Sequence, residues 1–435
     1  MKLPGLTDTA ALDEPERAVL VALGKPGDME REMAELRELT RTAGAEVVAE
    51  LLQNRDKPHL ATYLGKGKLA ELKALMAETA ADLVVVDDEI SPAQARNMGD
   101  TVAGRIVDRA ELILDIFAQR ARSAEGKLQV ELAQLQYLLP RLVGKGRELD
   151  RIGGGGRGGG EGARLGVRGP GETKLETDRR RLRHRMTVIR KRLEEVRQRR
   201  ERERVERQRS RIPLAAVVGY TNAGKSTLVN ALSGSEIEAA DRLFQTLDPT
   251  VRRADLGNGE SVLLSDTVGF IQRLPHHLVA AFRATLEEVS EADLLIHVVD
   301  ASHPDAAEQI AATRAVLEEL SADRKPTVVA LNKCDLVPDL STLVPLAQET
   351  HAPVPISALH GDGLDALRHR IAEALGDRLV PVTLHLPYDR VDLLSLVRRH
   401  GRVTSTQYTD EGVIAEVEVE GALLGKVGPY MVAES

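Results

Sequence analysis

The sequence predicts an α/β protein built chiefly on parallel sheet, and three observations carry that expectation. Strand-like and helix-like stretches alternate over residues 16–122 and again over 212–378, the pattern of strands joined by crossover helices. Gly219–Ser226 reads GYTNAGKS, a fit to GxxxxGK[ST], between an apolar strand-like run and a helix-like stretch. A heptad-spaced, strongly basic region separates the two alternating regions. Four parts follow: an N-terminal α/β domain (1–122), a helical hairpin (123–211), a doubly wound, mostly parallel sheet domain (212–378) and a small C-terminal α+β domain (379–435).

In the first part, ERAVLVALG (16–24) is expected to be a strand. The next helix is expected to start at an N-cap Asp28 and to bury Met29, Met33, Leu36 and Leu39 along one face. AEVVAELLQ, DLVVVDDE and RIVDR read as further strands, with helices around 69–76 and 93–102.

In the second part, Leu128, Leu132, Leu135, Leu139 and Leu142 step by 4, 3, 4 and 3, as do Leu182, Met186, Ile189, Leu193 and Val196. Two such seams suggest an antiparallel pair of helices, although two unrelated amphipathic helices would give the same spacing. Pro140 is expected to kink or end the first. Between them, residues 153–162 read GGGGRGGGEG. Ordering eight glycines in ten is entropically costly, so the segment is either a flexible linker or one that orders on a polyanion. Arg151, Arg157, Arg164, Arg168 and Lys174 favour the polyanion.

The formal net charge of −8 over 435 residues argues by itself against nucleic acid. Residues 178–211, however, hold 16 Lys or Arg against 6 Asp or Glu, a local balance of +10. A solvated helix face accounts for some of this. Placed beside the basic Gly-rich tip, the excess points to phosphate contacts, and the scarcity of aromatics favours structured RNA over a stacked single strand. One cysteine excludes an internal disulfide. The N-terminal residues do not resemble a signal peptide, and no stretch reaches the roughly 18 apolar residues of a membrane span. A cytoplasmic protein is the expectation.

In the third part, Gly219-Tyr220-Thr221-Asn222-Ala223-Gly224-Lys225-Ser226-Thr227 would turn its backbone N–H groups and a helix N-terminus towards a phosphate chain. Lys225 would reach the β and γ oxygens, and Ser226 would ligate Mg²⁺. Asp266-Thr267-Val268-Gly269 closes the run SVLLSD and adds a carboxylate for Mg²⁺ and an N–H for the γ-phosphate. Between them lies Phe244-Gln245-Thr246-Leu247-Asp248, where Thr246 is the candidate second hydroxyl ligand of Mg²⁺. Asn332-Lys333-Cys334-Asp335 closes PTVVALN. Its Asp335 can accept from both guanine N1–H and the 2-amino group, donors that adenine lacks. Ser357-Ala358-Leu359 offers a backbone N–H for guanine O6. Four motifs in this order, each at a strand end, predict a P-loop GTPase domain binding GTP and GDP.

Lys225, Thr246, Gly269 and Asn222 form the candidate catalytic set. Phe270 stands where many GTPases carry a water-orienting Gln, so a slow intrinsic rate is expected. Asn222 either binds a monovalent cation or caps its own loop.

YLGKGK (63–68), the Gly-rich run, GPGETKLETDRR (169–180), GYTNAGKST, FQTLD, DTVGF and NKCD together resemble HflX, a family of bacterial ribosome-associated GTPases. The resemblance spans about residue 16 to at least 378. It implies association with the large (50S) ribosomal subunit and its rRNA, hydrolysis stimulated by ribosomes, and in several members the splitting of stalled or idle 70S ribosomes under stress. It also implies Mg²⁺ on Ser226 and Thr246, K⁺ stimulation through Asn222, and a hairpin tip near the peptidyl-transferase region. A monomer is expected. An assembly GTPase acting on immature rRNA is the alternative. Gln245 departs from the family's usual FATLD. GKGK (65–68) lacks the spacing of a second phosphate loop, and the resemblance assigns nothing to the tail after 379.

Overall fold

The structure, a computed structural model, describes residues 15–55, 57–142, 170–210, 212–234, 243–244, 250–257, 260–271, 288–343, 346, 350, 353–376, 379–420, 423 and 426–432. They fall into two compact bodies. The first holds the described residues up to Gln198 together with Leu243 and Phe244; the second holds the rest.

The first body contains a parallel sheet ordered β2-β1-β3-β4, from β1 (Arg17–Gly24), β2 (Glu46–Asn54), β3 (Leu83–Val86) and β4 (Arg105–Asp108). The connecting helices are α1 (Pro26–Ala43), α2 (Lys66–Thr79) and α3 (Pro92–Val102). Asp28 is not the cap of α1. The helix starts at Pro26 after an extended Lys25, because proline has φ preset for the first helical position and no N–H to leave unpaired. Met33, Leu36 and Leu39 are buried as expected, while the Met29 side chain lies outside the described residues.

A helix the sequence pattern did not show, α4 (Arg109–Arg120), starts directly at β4, capped by Asp108 accepting from the Glu111 N–H at 2.9 Å. Six of its apolar residues are buried, and Glu111, Asp115, Ala118 and Gln119 form the less buried stripe at helical spacing. The helix α5 (Ala124–Arg141) is capped by Ser123 and ends one residue after Pro140. Its Leu132 and Leu135 are buried against Met186 and Ile189 of α6 (Pro170–Ser210), with Leu128, Leu139, Leu182 and Leu193 at the margins. The two seams therefore pack on each other, and Arg185 adds a paired contact to Glu131 at 2.6 and 2.7 Å. The Gly-rich tip, with Arg151, Arg157, Arg164 and Arg168, lies outside the described residues, as does the Lys174 side chain.

In the second body six strands are ordered β10-β9-β8-β5-β7-β6: β5 (Leu214–Gly219), β6 (Thr250–Gly257), β7 (Glu260–Asp266), β8 (Leu294–Asp300), β9 (Thr327–Asn332) and β10 (Val354–Pro355). All neighbours are parallel except β6, an antiparallel edge strand not expected from the sequence. Helices α7 (Lys225–Ser233), α8 (Ala306–Glu319) and α9 (Leu364–Gly376) complete it. The chain builds β6 and β7 on one side of β5, then crosses to build β8–β10 on the other. Such a reversal leaves a crevice at the carboxyl ends of the strands.

The last segment pairs β11 (Leu379–Leu386), β12 (Gly401–Thr409) and β13 (Gly412–Glu420) in an antiparallel sheet ordered β11-β13-β12. Its helix α10 (Asp392–His400) follows a 3₁₀ turn at Tyr388–Arg390. Among the described residues no helix is long and apolar enough to cross a membrane.

Candidate nucleotide site

The strand β5 is buried from Ala215 onward and ends at Gly219, which adopts φ 148°. A Cβ there would strike the carbonyl oxygen of Val298 on the neighbouring strand. Gly224, at φ 94°, starts α7 with the Asn332 amide against it, so a side chain has no room. These two glycines let the loop turn tightly enough to face α7's first N–H groups outward.

Inside the loop, buried Lys225 donates to the carbonyl oxygen of Tyr220 at 2.7 Å. Burial pulls its ammonium down to a pKa of about 8, partly countered by Asp266. The next residue, Ser226, donates from Oγ to Asp266 Oδ2 at 2.7 Å. Asn222 is exposed in a left-handed conformation (φ 61°). Ala223 is fully buried, and Thr221 nearly so.

Asp266 ends β7 beside β5, in register with Val217. Thr267 donates to the Val217 carbonyl at 2.7 Å. Thr221 N–H then donates to Phe270 O at 2.7 Å, and Phe270 N–H to Gly219 O at 3.1 Å. This stitching brings Gly269 against the loop: a Cβ on it would come within 2.9 Å of Lys225 Nζ and 2.8 Å of Thr221 Cα. The Phe270 ring is buried with Ala216, Val218, Val289 and Leu295. It is a core residue, and it presents no polar atom from its side chain.

Asn332 ends β9, and its amide donates to Ala223 O at 2.8 Å while its Oδ1 accepts from Ala358 N–H at 2.9 Å. Lys333 takes φ 62°, and its ammonium lies 2.6 Å from Asp300 Oδ2. Cys334 is tied through its N–H to Ile356 O at 3.1 Å and through its thiol to Leu331 O at 3.1 Å. Asp335 is held below the usual carboxylate range, chiefly by a hydrogen bond from the Ser357 side chain, with His360 Nε2 3.7 Å away. Ser357 N–H donates to Asp362 O at 3.0 Å, and Leu359 is exposed.

Sequence-predicted residues of the phosphate loop, Asp266–Gly269, Asn332–Asp335 and Ser357–Leu359 thus meet at one sheet edge. Phe244 belongs to the first body, where its ring packs edge-on against Phe117 of α4. Gln245, Thr246, Leu247 and Asp248 lie outside the described residues. Sequence reasoning missed Asp300 and His360. Asp300 carried a signal, since it closes the run DLLIHVVD at the same edge; His360 carried none.

The donor set suits Mg²⁺. A serine hydroxyl and a carboxylate converge at a helix N-terminus, and this cation takes few protein oxygens and fills its remaining positions with phosphate oxygens and water. Among the described residues no group of three or more His, Cys, Asp or Glu forms a separate all-protein metal cage.

Four family models match in succession: a GTP-binding GTPase N-terminal region (30–118), its middle region (120–207), a 50S ribosome-binding GTPase (214–333) and the HflX C-terminal domain (342–422). The GTPase HflX of Caldanaerobacter subterraneus subsp. tengcongensis is 46% identical over 406 residues, covering 93% of this chain and 91% of that protein. This chain belongs to the HflX family. The HflX of Escherichia coli K12 is 44% identical over 377 residues, 86% of each chain. Among solved structures, a GTP-binding protein from Sulfolobus solfataricus in complex with GDP is 26% identical, covering 83% of this chain and 99% of that one, with a TM-score of 0.43. Like other HflX proteins, the chain is a GTP-hydrolysing enzyme with a P-loop GTPase domain that binds guanine nucleotides.

Proposed function

We propose that this chain is a GTP-timed factor that docks on the large ribosomal subunit and separates or rescues stalled or idle 70S ribosomes under stress. The observation carrying this reading is the match of residues 214–333 to a 50S ribosome-binding GTPase family, directly following the sequence segment 178–211, which carries +10. The division at 122, 211 and 378 belongs to the same proposal. Arg151, Arg157, Arg164, Arg168 and Lys174 contact rRNA phosphates.

At the nucleotide, the N–H groups of Gly219–Thr227 cradle the phosphates, and Lys225 leaves Tyr220 O for the β and γ oxygens. Ser226 and Thr246 would hold Mg²⁺, which would supply positive charge to the phosphates. Gly269 N–H meets the γ-phosphate, and within Phe244–Asp248 it is Thr246 that would reach the nucleotide's Mg²⁺ while the Phe244 ring stays in its core. Asp335 reads guanine N1–H and the 2-amino group. With Ala358 N–H engaged by Asn332, the donor for O6 is Leu359. Attack of water on the γ-phosphorus then yields GDP and phosphate. With Phe270 in the core, no side chain at that position orients the water, so the intrinsic rate is slow and the ribosome, with K⁺ at Asn222, completes the site.

Co-sedimentation with 50S particles in a non-hydrolysable GTP analogue, weaker in GDP, is the expected result. GTPase rates with added 50S, 30S and 70S particles, in potassium and in sodium, measure the stimulation, and light scattering follows 70S splitting. Binding indifferent to nucleotide would overturn the switch, and a preference for precursor particles would replace splitting with assembly.

A further inference from the structure

At the base end of the site one ammonium, that of Lys333, is paired with one of two nearby carboxylates. Lys333 lies 2.6 Å from Asp300 Oδ2, and its charge also acts on Asp335, two residues on. Asp300 is the last residue of β8, in register with Asn332. Its other oxygen accepts from Ser302 N–H at 3.0 Å and Ser302 Oγ at 2.6 Å. Both donors fix the rotamer of a carboxylate whose side chain is only 12% exposed. Asp335 is the more accessible of the two acids. Apart from Lys333, the groups that face it are the Ser357 hydroxyl and His360.

We propose that Asp300 is a positioning residue for base recognition: it holds the Lys333 ammonium off Asp335, so that a lone pair on each Asp335 oxygen stays available to guanine. The inference rests on the assignment of Asp335 to the base. Guanine presents two adjacent donors, N1–H and the 2-amino group, and a carboxylate binds both most strongly when no cation competes for its charge and lone pairs. An ammonium on Asp335 would offer donors where the base also offers donors, and the charge-assisted hydrogen bonds would weaken. Lys333 takes a left-handed backbone (φ 62°), and its ammonium lies on Asp300. The Ser302-braced carboxylate decides which of the two acids receives it. Asp300 needs no contact with the nucleotide.

The test measures GDP, GTP, IDP and XDP affinities of the full-length protein by competition with a fluorescent nucleotide. Asp300→Asn is expected to weaken GDP and GTP by the same factor, about tenfold, and to narrow the GDP-over-IDP preference, because IDP lacks the 2-amino group. KM for GTP should rise while kcat holds. In a Lys333→Ala background Asp300→Asn should add nothing, whereas a merely structural loss would add. Ser302→Ala, a milder change, should move the GDP-to-IDP ratio the same way by less. An unchanged ratio in both Asp300→Asn and Ser302→Ala, or additivity with Lys333→Ala, overturns the inference. Asp335→Asn separates the two levels. No shift towards XDP would sink the base assignment itself; a clear shift with a silent Asp300→Asn sinks only the role of Asp300.

Discussion

The side-chain amide of Asn332 donates to the main-chain oxygen of Ala223 at 2.8 Å, which fastens the end of β9 to the middle of the phosphate loop. The same side chain accepts from Ala358 N–H, so one residue sets the spacing of three motifs. All three residues are buried. Asn332→Ala leaves a buried carbonyl and a buried N–H unpaired, each worth about 1–3 kcal/mol. The expected outcome is a drop in melting temperature together with loss of the stabilisation that GDP confers. Thermal unfolding with and without GDP checks both, and an unchanged GDP-induced shift would remove Asn332 from this role.

Phe117 and Phe244 pack with ring centroids 4.7 Å apart at 74°, and each ring is almost completely buried. Phe244 belongs to FQTLD, yet by packing it is part of the first body. Replacing either phenyl by alanine should destabilise that body by about 3–5 kcal/mol. Hydrogen exchange localises the effect: amides of α4 and β4 should lose protection. Unaltered exchange there in Phe244→Ala would show that the ring contributes nothing to that core.

Asp115 on α4 sits close to Glu111 and Glu16, with Arg105 3.7 Å away. Burial, then repulsion from Glu111, pushes its carboxyl up to about 7. A carboxylate raised on folding binds its proton more tightly in the folded chain, so its ionisation subtracts stability as pH rises from about 4 to 7. Asp115→Asn should therefore stabilise at pH 8 by about 1–3 kcal/mol and by much less at pH 5. Denaturant melts at the two pH values decide it, and an equal gain at both would show that charge is not the cause.

Much of the candidate nucleotide site is legible because each motif ends a strand, and strand ends are marked by apolar runs breaking into Gly, Asp or Asn. The alternating pattern likewise revealed β1, α2, α3, β5 and β7–β9. What stayed hidden has physical reasons. Helix α4 starts at Arg109 directly after β4, so RIVDR reads as one strand-like run across the boundary, and β6, with Arg252 and Arg253 exposed on an edge, reads as loop. The Asp28 cap was a plausible residue type outranked by Pro26 two positions earlier. Asp300 escaped notice because its partner Lys333 is 33 residues away, joined only by the β8–β9 register.

Lys225 makes the site itself sensitive to pH. In the free chain burial lowers its ammonium to about 8, and phosphate oxygens replacing the Tyr220 carbonyl would raise it again. Above pH 8, then, binding must take up a proton. GDP affinity should be level below about pH 8 and fall above it, by at most tenfold per unit. Calorimetry at pH 8.5 in two buffers of different ionisation enthalpy should give different apparent heats, and Lys225→Met should bind weakly with no such difference. Stability of the nucleotide-free protein should move the opposite way. The unfolded lysine titrates near 10.4, so the burden of burying a charged Lys225 is complete below pH 8 and is relieved between 8 and about 10.4. Affinity falling while this contribution to stability rises over the same window would be hard to produce from any group that merely unfolds the site; parallel trends would exclude Lys225 as the source.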